Sequence, residues 1–120
     1  MITLGVAVAG SVGAATRFVL DAAMRARMRR SFPWATLIVN VTGSFLLGVV
    51  TGLVIYRGGS PDLRLIIGTG FCGGYTTFST TSFETIRLAQ RGSIRLAVAN
   101  GFGTLLLTVG VAALGLVVVR

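Results

Sequence analysis

Apolar residues run in four long blocks, about Ile2 to Leu20, Ala35 to Ile55, Leu63 to Ile86 and Leu96 to Val119, with short polar runs between them. Each block comes close to the roughly 20 helical residues that cross about 30 Å of hydrocarbon. The pattern predicts an all-α membrane protein, with residues 1–120 forming a single domain of four transmembrane helices. The first connection, DAAMRARMRRSFP, is basic and ends at Pro33, which suits the first turn of a helix, with Trp34 as an interfacial anchor. The other two, YRGGSPD and RLAQRGS, are hairpin-length, so successive helices are expected to be antiparallel neighbours. A secretory signal carries its positive charge ahead of the apolar run; here the arginines follow it, so the first block is expected to remain as a span.

Composition sharpens this picture. The chain is 53% hydrophobic and only 12% charged, about half the charged share of a soluble domain. A net charge of +8 raises the question of nucleic acid, but every arginine cluster abuts a predicted span. Headgroup contact and topology control account for them better than phosphate readout, so no nucleic-acid partner is expected. Cys72 is the only cysteine and excludes an intrachain disulfide.

Small residues recur where helices would meet: Gly10 and Gly13 in the first block, Gly43, Gly48 and Gly52 in the second, Gly110 and Gly115 in the fourth. The Gly48-x-x-x-Gly52 spacing lets backbones approach closely. A unit packed this tightly has no lumen, so a solute that crosses should do so at an interface between copies.

The third block contradicts its own apolar character. GTGFCGGYTTFSTTSFET, residues 68 to 85, concentrates glycines, hydroxyls and one acid where an uninterrupted span would avoid them. Gly68, Gly70 and Gly73 spell the dinucleotide fingerprint, yet no strand precedes it and no acid follows about 20 positions on; a Walker loop is excluded because the chain has no lysine. Gly73-Gly74 instead suits a break in the third helix near its middle, freeing backbone carbonyls that are tolerated at membrane depth when buried, lining a cavity or holding a cation. With no acid close by, a monovalent ion fits better than a divalent one. Beyond the break, Thr77, Thr81 and Glu84 share a helical face beside Phe78, within the run that also includes Ser82.

Asn40 interrupts the second block with an amide that must find partners. Asn100, Thr104 and Thr108 form a stripe at intervals of four in the last block. Arg17, near the end of the first block, either snorkels to the interface or supplies positive charge to a vestibule. Donors outnumber unpaired acceptors along these faces, and there is no histidine or lysine, an inventory that suits a small hydrated anion, with aromatic ring edges adding partial positive charge.

GAATRF at 13 to 18, PWATLIVNVTGSFLLG at 33 to 48 and GTGFCGGYTTFST at 68 to 80, with Glu84 following, occur in one order along four spans. On these pieces the chain resembles the Fluc (CrcB) fluoride channels over almost its whole length. The resemblance implies a non-enzymatic channel that exports fluoride passively across the plasma membrane. It implies an antiparallel dimer of two copies, two fluoride pathways at their interface, and a central structural Na+ held by the backbone carbonyls of Gly73 and Thr76. It further implies a pathway that includes Asn40, Phe78 and Glu84, with Arg17, Thr104 and Thr108 alongside, and the hydroxyl run read above adds Thr77, Thr81 and Ser82 to the expected route.

The family pattern has a second phenylalanine where this chain has Thr81, while Phe83 lies two positions on and faces elsewhere. Arginines divide unevenly: Arg25, Arg27, Arg29, Arg30, Arg87, Arg91 and Arg95 follow the first and third blocks, against Arg57, Arg64 and Arg120 on the other side. Both features make a homologous partner the alternative to the expected antiparallel pair of identical chains, in which Thr81 substitutes a hydroxyl for a ring edge. A small multidrug exporter has similar length but needs an acid in its first span, which this block lacks.

Overall fold

The computed structural model describes residues 1–28 and 32–120. Arg29 and Arg30, counted above among the flanking arginines, lie outside the described residues. Among those described, the chain is helical almost throughout: α1 (Ile2–Arg27), α2 (Trp34–Tyr56), α3 (Pro61–Leu63), a π-helical segment (Arg64–Cys72), α4 (Gly73–Tyr75), α5 (Phe78–Gln90) and α6 (Ile94–Val118). Three of them, α1, α2 and α6, are long and apolar enough to cross a membrane. The chain is a multi-pass membrane protein, elongated at 48 × 28 × 22 Å.

Single helices cover the second and fourth blocks, but the first and third differ from the expected extents. α1 does not stop at Leu20: it continues through DAAMRAR to Arg27, because alanine, methionine and arginine are good helix formers and Asp21 reaches Arg25 one turn on. Arg17 therefore sits well inside α1 rather than near its end. The third block is assembled from α3, the π-helical segment and α4, then a break, then α5. The break falls at Thr76 (φ −82°, ψ 162°) and Thr77 (φ −147°, ψ 123°), not at the glycines; Gly73 keeps helical angles of −63° and −38°. Threonine hydroxyls offer the backbone a rival to the helical ladder, and Thr77 uses its own to cap α5 by accepting from Thr80 N–H at 3.2 Å.

The glycines serve packing instead. A Cβ on Gly74 would collide with the Gly10 carbonyl, and one on Gly48 with the Ala112 carbonyl. These contacts mark the two close crossings of the fold, α1 against the third helix and α2 against α6. Short connections do not make α1 and α2 chief partners: α1 packs most extensively on the π-helical segment, and α2 on α6. Gly110 meets open space and takes no part in these crossings.

The buried side chains are mostly small or polar: Ala35, Val39, Val50, Ala97, Thr36, Asn40, Asn100 and Thr104 are all inside, with Tyr75 and Leu88 the large exceptions. Large apolar residues face outward, among them Phe18, Phe78, Phe102, Leu106 and Val109. Such an inside-out distribution is what a chain surrounded by lipid or by a second subunit requires, since apolar surface there has no water to avoid.

Candidate functional site

The site is built around the break. Asn40 projects from α2, where Val39 and Gly43 let that face of the helix approach the third helix closely. Its amide is fully engaged by the extended residues. Oδ1 accepts from Thr77 N–H at 2.8 Å, while Nδ2 donates to Thr77 O at 3.0 Å and to Thr81 Oγ1 at 2.8 Å. Thr81 passes its own proton to Thr77 O at 3.1 Å. One side chain thus supplies what the broken ladder has lost, which is why an amide is kept inside an otherwise apolar helix.

Among the carbonyls that lose their helical donors here are those of Gly73 and Thr76. In a continuous helix Thr77 N–H would close on the Gly73 carbonyl and Thr80 N–H on the Thr76 carbonyl. The first is taken by Asn40 and the second by Thr77 Oγ1. Gly73 is exposed, and a Cβ there would meet nothing within 4 Å. No group of three or more acidic, histidine or cysteine side chains gathers to hold a metal among the described residues.

A small chamber of about 70 Å³ adjoins the break, lined by Arg17, Asp21, Thr36, Val39, Thr77 and Thr80. Thr36 lies one turn before Asn40 on α2, so the two polar groups share a face. Arg17 Nε is buried with no hydrogen-bond partner among the described residues. Thr80 also borders a larger cleft of about 500 Å³, whose walls include Arg25, Trp34, Phe83, Glu84, Arg87 and Arg91. Glu84 meets Arg25, not Arg17: Arg25 Nη2 donates to Glu84 Oε2 at 3.1 Å and to Thr36 Oγ1 at 3.4 Å, while Arg25 Nε donates to Asp21 Oδ2 at 2.8 Å.

The structure therefore brings Arg17, Asn40, Thr77, Thr81 and Glu84 to one region, although Thr77 caps α5 from outside the helix rather than sharing its face. Phe78 stands apart, 87% exposed. Ser82 is half-buried on α5, and no side-chain hydrogen bond is recorded for it among the described residues. On α6, Thr108 donates to the Thr104 carbonyl at 2.7 Å, and Thr104 Oγ1 is buried without a partner among the described residues. Asn100 joins the network through Thr85 Oγ1 at 2.8 Å, and Thr85 in turn donates to the Thr81 carbonyl at 2.7 Å. Asp21, Arg25, Thr36 and Thr80 were not singled out from sequence. The i,i+4 spacing of Asp21 with Arg25, and of Thr36 with Asn40, was the available signal.

The arrangement offers an anion guanidinium and hydroxyl donors, and offers a cation backbone carbonyls stripped of their helical partners. Its chemistry is coordination and passage; nothing in it is organised to make or break a covalent bond. Comparison with known proteins agrees in kind. A family profile described as "CrcB-like protein, Camphor Resistance (CrcB)" matches residues 4–116. The "Fluoride-specific ion channel FluC 1" of Leifsonia xyli is 52% identical over 116 residues, covering 97% of this chain and 85% of that protein. The "Fluoride-specific ion channel FluC" of Magnetococcus marinus is 46% identical over 116 residues (96% and 94%), and that of Nitrobacter winogradskyi 40% identical over 118 (98% and 94%). A match over nearly the whole chain means that this chain belongs to the CrcB-like family.

Proposed function

We propose that the chain is a subunit of a fluoride-selective channel that lets fluoride leave the cell passively through the plasma membrane, without enzymatic turnover. The observation that carries this reading is the set of donors beside the helix break, Arg17, Thr36, Thr77 and Thr80, which line one small chamber between otherwise apolar helices. A small anion that sheds its water needs replacement donors at such density. The printed names of the relatives support the choice of ion. Phe78, unpacked against its own chain, would present its ring to the ion at an interface with a second copy of the chain, arranged antiparallel.

A structural sodium ion fits the carbonyls of Gly73 and Thr76, whose helical donors are diverted. Bound there, it would hold two subunits together electrostatically and would not be carried.

A second reading, in which the partner is a homologous subunit, is favoured by one contact. Thr81 occupies the second amide proton of Asn40, so neither donor of that amide is left for an anion in this subunit. Purified chain reconstituted into fluoride-loaded liposomes separates the readings. Efflux followed with a fluoride electrode, against a chloride control, should be rapid for the chain alone, and Phe78→Ile should nearly abolish it while leaving the oligomer intact in detergent. Silence alone, with efflux restored by a co-expressed homologue, selects the paired-subunit reading. Equal rates for fluoride and chloride would sink the channel proposal.

A further inference from the structure

We infer that Arg25 is a positioning residue that fixes Glu84 at the mouth of the fluoride route and pairs with its carboxylate, so that an approaching anion meets no unpaired negative charge there. This rests on the channel reading proposed above.

The geometry joins three helices at one guanidinium. Arg25 sits on the part of α1 that extends beyond the apolar block. It donates to Glu84 Oε2 on α5 at 3.1 Å and to Thr36 Oγ1 on α2 at 3.4 Å, and Asp21 fixes its Nε at 2.8 Å. The Glu84 side chain is only 15% exposed, and its Oε1 is buried without a hydrogen-bond partner among the described residues. A carboxylate so withdrawn from water needs a counter-charge, and among the described residues the ion pair it forms is with Arg25.

Position gives the pair its consequence. Arg25 and Glu84 line the large cleft, Thr36 lines the small chamber, and Thr80 borders both. An ion moving from cleft to chamber passes the Arg25–Glu84–Thr36 junction. The walls of the two spaces carry Arg17, Arg25, Arg87 and Arg91 against Asp21 and Glu84, and among the described residues Arg25 is the guanidinium paired with Glu84. Without Arg25 the Glu84 carboxylate stands unpaired at the junction, a local negative charge that repels an approaching anion.

A staple that merely tied α1 to α5 would give a different signature. The test uses the full chain in liposomes, with fluoride efflux measured over a range of fluoride concentrations and at low and high concentrations of an impermeant salt. Arg25→Gln should raise the half-saturating fluoride concentration about tenfold with a smaller fall in maximal rate, below the full effect of a deeply buried pair because Arg25 is half-exposed. Arg25→Lys should recover most of that loss, and high salt should shrink it. In a Glu84→Gln background Arg25→Gln should add no further defect, because the charge it balances is gone. Should Arg25→Gln alone aggregate, the lysine variant and the double variant still decide the matter. Additive losses in the double variant, or an Arg25→Gln curve superimposed on that of the unaltered chain, overturn the inference while leaving the channel reading intact. Absence of fluoride efflux from the unaltered chain, alone and with a homologous subunit, overturns both.

Discussion

Asn40 spends both amide protons and its carbonyl on two residues, Thr77 and Thr81, and this settles what its neighbours can do. With a phenylalanine at position 81, the position the family pattern assigns to a second ring, the second proton would have no hydroxyl to meet. Thr81→Val tests the point. Losing one partly buried acceptor should lower stability by about 1 kcal/mol, read as a lower unfolding temperature in detergent. The released Asn40 proton should leave fluoride flux equal or faster. A severalfold slower flux would mean that the Thr81 hydroxyl itself contacts the ion. The same accounting separates Glu84 from Arg17: each carries a buried atom without a partner among the described residues, but only Glu84 has a counter-charge on it.

At the scale of the element, the break and the glycines next to it serve distinct ends. Gly74 is locked against the Gly10 carbonyl, whereas Gly73 faces open space. Added bulk is therefore felt at Gly74 rather than at Gly73. Gly74→Ala should destabilise the fold by about 1–3 kcal/mol through overpacking, while Gly73→Ala leaves the unfolding temperature of the chain nearly unchanged. A larger loss at Gly73 than at Gly74 would contradict this assignment of close packing. If Gly73 and Thr76 hold sodium through their carbonyls, replacing sodium by a bulky organic cation should slow fluoride flux with no coupled movement of radioactive sodium. Coupled sodium flux would replace the structural role with a transport one.

The whole molecule leaves much apolar surface outside, with Phe18 76%, Phe78 87%, Phe102 65% and Leu106 72% exposed. Lipid covers part of it, and the proposed partner subunit the rest. On the proposed four-span topology the arginines bias orientation: seven lie on the side after the first and third blocks, three on the other. Positive flanks favour the cytoplasm, so the bias turns both termini outward, whereas an antiparallel pair of identical chains needs both orientations. Single cysteines placed at Arg57 and at Arg91 in a Cys72→Ala background, labelled from outside intact cells, report this directly. Labelling at both positions is expected for the self-paired dimer. Labelling at Arg57 alone would require an oppositely oriented homologue.

By itself the sequence determined the class of protein and the place of its chemistry. Blocks of apolar residues of membrane length specify helices because a backbone in hydrocarbon must satisfy its own hydrogen bonds, and a run of hydroxyls beside glycines marks an exception to that rule. Local pattern did not reach the site's wiring. The break lies at Thr76 and Thr77 because Asn40, distant in sequence, supplies the hydrogen bonds that make it tolerable, and Gly74, not Gly73, turns out to be a packing surface. The partner of Glu84 is Arg25 because α1 runs on past its apolar block to Arg27 and brings that guanidinium over α5. Hydropathy registers the end of the oily stretch, but the end of a helix depends on propensity and on side-chain pairs, and contacts between residues far apart in the chain exist only once the helices have packed.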